Sequence, residues 1–212
     1  MKQRKYGLQI RDEKGELLLE VGPHVMSALP KFAEQVGIIT AYWAQAEINL
    51  NCLFATLLNT TPEIASAQLR KHRSTASATG GAREYAKANL MGTELDSVIE
   101  ALNQLDRART RRNRIQHDVW AIKGGDTERI FVIHANNYFD FSIKLISASA
   151  EKNDIELINS QIASAMNFAA TAADGYTISD LQDIAREIDS ASQCLLKLMF
   201  YFCQRSQRSS SK

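Results

Sequence analysis

One apolar stripe at helical spacing, from about Lys31 to Asn59, constrains the fold more than any other feature of the sequence. Apolar residues recur there at steps of three and four positions, which predicts one long amphipathic helix. The stripe consists of Val36, Ile39, Trp43, Ala46, Leu50, Leu53, Phe54 and Leu57.

Two more helical patterns follow this stripe. Thr61-Pro62-Glu63 combines a capping residue, a proline in the first turn and an acid beside the helix dipole, and predicts a helix ending near His72. The next pattern begins near Arg83, breaks at Gly92 and is clearest over residues 94–117, where leucine, valine and isoleucine repeat at helical spacing.

A capping box of the Ser/Thr-x-x-acid type at residues 177–180 starts the last predicted helix, which continues through Phe202. The Ser/Arg-rich tail, Gln204–Lys212, is expected to fray. The small, Gly-paired segment at residues 74–81 predicts a loop. Residues 154–172 fit a helix and a strand equally well.

Strand patterns occur in two places. Residues 6–21 predict a hairpin with its turn at Asp12–Gly15. Residues 119–123 and 129–135 flank Gly124-Gly125-Asp126 and predict a second hairpin, to which residues 138–147 could add a strand.

The predicted fold is therefore an α-helical bundle with a small antiparallel β elaboration. We divide the chain into a β-hairpin extension at residues 1–30, a helical domain at 31–205 with a β insertion at about 119–147, and a flexible tail at 206–212.

Composition limits the classes of function. The 25 basic and 24 acidic side chains give a net charge of +1, so a nucleic-acid site has to come from local clustering of charge. The three cysteines lack metal-ligand spacing, and we expect them to be reduced. No apolar run suits a signal peptide or a membrane span, so we expect a cytoplasmic protein that does not enter the membrane. No sequence motif calls for a metal or a cofactor.

Positive charge is concentrated in residues 106–123, where six basic and two acidic residues give +4. A charge run at a helix end is usually a solvated face, and helical phase puts Arg107, Arg111 and Arg114 on such a face, opposite the leucines. The same phase puts several polar residues on the leucine side instead. These are Arg109, Arg112, Asn113, Gln116 and His117.

A buried or interfacial arginine needs an anionic partner. Glu47 is a candidate, because it lies within the apolar stripe of the first long helix, between Trp43 and Leu50. We expect Glu47 to face Arg109 or Arg112 and hold it in position. The alternative is that the stripe is only partly buried and that Glu47 reaches water.

The segment Arg112–His117 fits the Arg-x4-His motif of the HEPN superfamily, with a polar residue, Asn113, directly after the arginine. Its position at the end of a long helix, followed by Asp-Val-Trp at 118–120, resembles the form found in many bacterial HEPN-like proteins. The stretches at 36–47 and 176–181 are similar to other helices of those proteins. The resemblance covers about residues 31–205, and its specific part is the motif.

The resemblance implies a helical bundle that forms a homodimer, with two motifs facing one cleft. Many members are metal-independent endoribonucleases of toxin–antitoxin or other defence systems, so it also implies an RNA substrate and an antitoxin or regulatory protein as partner. In one subgroup of the family a tyrosine stands at the second position after the histidine, and here that position is Val119.

The residue types suit RNA cleavage. The unperturbed pKa of histidine is ~6.5, so His117 can act as the base. The planar guanidinium of Arg112 can bind a phosphate that gains charge, with Asn113 in support. Further contacts to the RNA backbone would come from Arg109, Arg111 and Arg114. Glu47 and Asp118 would be supporting residues.

Two alternatives stay open from the sequence. The same cleft could belong to a non-catalytic module that binds RNA, a nucleotide or a protein. In a purely structural dimer, Arg112 and His117 would instead be engaged in internal hydrogen bonds.

Overall fold

A computed structural model describes residues 7–71, 75–149, 155–172 and 175–210. These residues form eight helices and five strands in a mainly α-helical chain. Their order is β1 (Leu8–Arg11), β2 (Leu17–Val21), α1 (His24–Ala28), α2 (Pro30–Leu57), α3 (Pro62–Leu69), α4 (Thr75–Asn89), α5 (Gly92–His117), β3 (Val119–Lys123), β4 (Ile130–Ile133), α6 (Ala135–Ser149), α7 (Ile155–Ala170), β5 (Gly175–Tyr176) and α8 (Ile178–Ser210).

The chain contains two compact units. The sheet unit comprises Met1–Val36 and Asn113–Gln182, and the helical unit comprises Gly37–Arg112 and Asp183–Lys212. The N-terminal hairpin and the predicted β insertion both fall in the sheet unit. Helices α2, α5 and α8 contribute residues to both units.

In the sheet unit, five strands form one antiparallel sheet in chain order, from β1 to β5. The two predicted hairpins, β1–β2 and β3–β4, are confirmed. They join through β2 and β3, where Val21 pairs with Ala121. Gly124 permits the turn after β3, because a Cβ there would lie 1.6 Å from the carbonyl oxygen of Leu17.

Helices α6 and α7 cover one face of this sheet. Alternate strand residues, the inner faces of the two helices and one residue just after α7 form the core of the sheet unit: Ile10, Leu19, Val21, Ala121, Phe131, Ile133, Phe141, Phe168 and Ala172. Phe141 of α6 stacks on Phe168 of α7 with ring centroids 4.2 Å apart.

The segment predicted as a possible strand at residues 138–147 is helix α6 instead. Phe141 is buried and Tyr138 and Leu145 pack against the core, while Phe139 is 63% exposed. The inward residues are spaced three and four positions apart, so the period is helical and the strand prediction was wrong. The segment that fitted both patterns, 154–172, forms α7 from Ile155 onward, and Asp154 lies outside the described residues.

In the helical unit, most of the stripe on α2 is buried, with Ile39 and Trp43 at most 2% exposed, whereas Leu57 at its end is only partly buried. The buried amide of Asn49 on α2 donates hydrogen bonds to the carbonyl and hydroxyl oxygens of Ser192 on α8, at 3.2 and 2.8 Å. These bonds satisfy a polar group that would otherwise be costly to bury.

Helix ends agree with the capping signals. The Ile64 amide donates to the Thr61 hydroxyl at the start of α3, and His72, the predicted end, lies outside the described residues. Before α8, Thr177 and Asp180 form the predicted capping box, in which the Thr177 amide donates to the Asp180 carboxylate at 2.8 Å. Gly92 begins α5 with φ +56°, which only glycine adopts readily.

One sequence prediction fails in the helical unit. The segment predicted as a loop from residue 74 is helix α4 from Thr75, because Thr79, Ala82 and Ala86 bury one face of it. That packing outweighs the cost of the glycine pair, about 1 kcal/mol per glycine. Helix α8 extends to Ser210 and so includes most of the segment that was expected to fray.

The described cysteines, Cys52, Cys194 and Cys203, form no disulfide. Across the described ranges, no helix has the length and apolar character needed to cross a membrane.

Candidate functional site

The Arg-x4-His motif lies on helix α5, and His117 is the last residue of that helix. Arg112 belongs to the helical unit, whereas Asn113 and His117 belong to the sheet unit.

Arg112 is half-buried, and its guanidinium lies over the ring of Trp43, 5.2 Å from the centroid. Trp43 is 2% exposed, so this ring is a fixed surface. A cation over the face of tryptophan is attracted by the negative face of the ring, and the stacking restricts the plane of the guanidinium. The orientation of Arg112 is thus held by packing as well as by charge.

Two opposing effects act on the ionisation of Arg112. Burial lowers its pKa, and the negative charge of Glu47 raises it. Glu47 was expected to face Arg109 or Arg112, and its negative charge acts on Arg112. Arg109 has a different partner, Asp106.

Asp106 is the centre of a polar cluster that the sequence analysis missed. Its carboxylate accepts hydrogen bonds from the hydroxyl of Thr79 at 2.9 Å, from Arg83 at 2.9 Å and from the Nε of Arg109 at 3.3 Å. Arg83 also donates to the side chain of Asn103 at 3.1 Å. Thr79 is fully buried. Arg109, predicted to contact RNA, is therefore a half-buried member of a network that joins α4 to α5.

Arg107 and Arg111 lie on the exposed face of α5, as helical phase predicted. Arg107 pairs with Glu100 at 2.9 Å, and Arg111 pairs with Glu187 of α8. The guanidinium of Arg107, followed by the amide of Gln104, holds the pKa of Glu100 below its ordinary value. These pairs are open to water, so each one is weak and can be exchanged for another partner.

The carboxylate partner of Arg114 is more deeply buried than those of Arg107 and Arg111. The Nε of Arg114 donates to the carboxylate of Asp118 at 2.6 Å, and the Asp118 side chain is only 6% exposed. Asp118, predicted to be a supporting residue, thus fixes Arg114. Arg114 itself is half-buried, although helical phase placed it on the solvated face.

His117 is exposed, although helical phase placed it on the leucine side. Helix α5 ends at this residue, so the apolar stripe does not extend past it. Asn113 is half-buried on the same helix. An exposed imidazole at a helix C-terminus can exchange protons with a bound substrate, as a catalytic base must.

A metal site is not evident in the described ranges, because no three His, Cys, Asp or Glu side chains come together there in a way that could hold an ion.

No protein-family model matches this chain, and searches of curated proteins and of solved structures return no match. The resemblance to HEPN proteins accordingly depends on residues 112–117 and on their position at the end of a long helix.

Replacing Glu47 with glutamine is expected to lower the free energy of unfolding by about 1 kcal/mol, since the half-buried Arg112 loses the charge that offsets its desolvation. Solvent screening of a half-buried pair keeps the effect small. Urea unfolding measures it, with Glu34→Gln, an exposed position on the same helix, as the control. Equal stability of the two variants would mean that Glu47 does not support Arg112.

Proposed function

We propose that this protein is a metal-independent endoribonuclease of the HEPN type that acts as a homodimer, with Arg112 and His117 as its catalytic residues. The observation that supports it is the difference between the two side chains on α5: a guanidinium held against the Trp43 ring, and an exposed imidazole at the end of the helix. RNA cleavage without a metal needs one fixed cation and one accessible base.

In the proposed reaction, the neutral imidazole of His117 takes the proton of a ribose 2′-OH. The 2′ oxygen attacks the adjacent phosphorus, and the bond from phosphorus to the 5′ oxygen breaks. The leaving 5′ oxygen takes a proton from an imidazolium, which in a symmetric dimer is the second copy of His117. The products are a 2′,3′-cyclic phosphate and a 5′-hydroxyl end.

Arg112 would bind the non-bridging oxygens of this phosphate, where negative charge develops in the transition state. A guanidinium that is already oriented requires little reorganisation during the reaction. Asn113 would support the site by a hydrogen bond to His117 or to a phosphate oxygen.

The alternative is a non-catalytic module that binds RNA, a nucleotide or a protein through the same residues. One observation favours it: Arg109, Arg111 and Arg114 each have a carboxylate partner in the protein itself. Less positive charge is then available to an RNA substrate. A role as a toxin or defence effector in the cytoplasm, with an antitoxin as partner, belongs to the catalytic proposal.

The test is cleavage of a defined RNA in EDTA, beside the same RNA with a single 2′-deoxy residue at the main cleavage position. We expect cleavage of the all-ribose RNA and none at the substituted position, because the nucleophile is missing there. Mass spectrometry of the products should show a cyclic phosphate end. Continued cleavage at the deoxy position would contradict the proposed mechanism, since water would then be the nucleophile.

A further inference from the structure

A groove lies between α5 and α8 within the helical unit, with a volume of about 640 Å³. Five residues of α5 and two of α8 line it: Gln104, Arg107, Ala108, Thr110, Arg111, Glu187 and Ser190. This α5/α8 groove does not include Arg112, and the sequence analysis assigned no role to Arg107 or Glu187.

The two arginines of the α5/α8 groove are four residues apart on one face of α5, which places them about 6 Å apart along the helix. The Arg107 side chain is 65% exposed and the Arg111 side chain 42% exposed, so both can reach water. Ala108 between them is buried and gives the groove an apolar floor. The Ser190 hydroxyl adds a neutral hydrogen-bonding group, and the Thr110 hydroxyl, which donates to the Asp106 carbonyl at 3.0 Å, can still accept a hydrogen bond.

This combination suits a segment of single-stranded RNA. Cations one helical turn apart can contact phosphates, and hydroxyl and amide groups are common partners of phosphate and sugar oxygens. The flat guanidinium groups can receive the face of a base.

Each arginine of the α5/α8 groove forms an ion pair with a glutamate. Arg107 pairs with Glu100, and Arg111 pairs with Glu187, which itself lines the groove. Exposed pairs of this kind contribute little to stability and are open to competition from another anion. A phosphate can bind a guanidinium through two parallel hydrogen bonds, so it can replace the glutamate.

We propose that the α5/α8 groove binds single-stranded RNA through Arg107 and Arg111, and that Glu187 competes with the RNA phosphate for Arg111. The inference rests on the proposed action on RNA and adds a binding surface beyond Arg112 and His117. Because Glu187 pairs with Arg111 in the free protein, the affinity for RNA is lower than it would be if Arg111 had no carboxylate partner.

The experiment is fluorescence anisotropy with a labelled oligouridylate carrying 2′-O-methyl groups, which cannot form a cyclic phosphate. Glu187→Gln is expected to bind about threefold tighter than wild type, because the competing charge is gone. Arg111→Ala and Arg107→Ala are expected to bind at least about threefold weaker, and each should reduce the dependence of log affinity on log salt by about 1. The control is Glu84→Gln, since Glu84 is an exposed glutamate that pairs with Lys87 on α4.

A double variant separates competition from simple repulsion. In the Arg111→Ala background, competition predicts no gain from Glu187→Gln, whereas repulsion of RNA by Glu187 predicts the same gain as in wild type. A gain of the same size in both backgrounds would overturn the proposal, as would failure of wild type to bind the oligonucleotide.

The outcomes also separate this inference from the ribonuclease proposal. Cleavage of RNA by wild type, with affinity unchanged in all of the groove variants, would reject the groove and leave the ribonuclease intact. Binding that depends on Arg111, without cleavage of ordinary RNA, would support the groove and reject the ribonuclease.

Discussion

His117→Ala is expected to slow metal-free RNA cleavage by about 10²–10⁴-fold, the usual loss when a general base is removed. His117 is exposed at the end of α5, so the substitution should change the free energy of unfolding by less than about 0.5 kcal/mol. Initial rates of RNA cleavage in EDTA measure the first effect, and urea unfolding measures the second.

The matched control is another exposed histidine of the sheet unit. His134 accepts a hydrogen bond from the amide of Asn136 at the start of α6, and His134→Asn keeps a side chain able to make that bond. Its cleavage rate should equal that of wild type. If His134→Asn and His117→Ala lost activity equally, the loss would not be specific to the motif.

Phe168→Ala is expected to lower the free energy of unfolding of the sheet unit by about 3–5 kcal/mol, as for other buried aromatic residues. Phe168 is 4% exposed, and its ring stacks on Phe141 at 4.2 Å, so removal leaves a cavity between α6 and α7 and takes away that partner. Urea unfolding followed by far-UV circular dichroism measures the effect.

Phe139→Ala tests whether burial is the cause. Phe139 is on α6 and 63% exposed, so the same substitution there should change stability by about 0.5 kcal/mol or less. Similar losses for the two variants would contradict the packing of α6 and α7 described here.

Long amphipathic patterns predicted their elements well. The α2 stripe, the Thr61 cap and the capping box at residues 177–180 are local signals, and the structure has helices at those positions because the same residues pack inward and close the helix ends. The β1–β2 and β3–β4 hairpins were also predictable, since alternation and glycine turns are local.

Helices α4 and α6 were not predictable from local signals. The glycine pair favoured a loop at residues 74–81, and only burial of Thr79, Ala82 and Ala86 against the rest of the helical unit makes α4 a helix. In α6, Phe139 and Phe141 are two positions apart, as apolar residues on one face of a strand would be. In the structure Phe139 is exposed and Phe141 is buried, so they do not share a face.

At the candidate site, too, some contacts could be predicted from the sequence and others could not. Helical phase identified Arg112 and Glu47 as polar residues on apolar faces, and the structure places the charge of Glu47 where it acts on Arg112. Asp106 was missed because an acid within a basic run looks like a surface residue. Its role depends on Thr79 and Arg83 of α4, which were predicted to lie in or beside a loop.

The most direct test of a metal-independent ribonuclease is RNA cleavage in excess EDTA by wild type, Arg112→Ala and His117→Ala, with the folding of each checked by circular dichroism. We expect wild type to cleave and both folded variants to lose the activity, because the oriented cation and the exposed base are both required. A folded, dimeric wild type that leaves RNA intact, or folded variants that cleave at the wild-type rate, would contradict the assignment of catalysis to this motif.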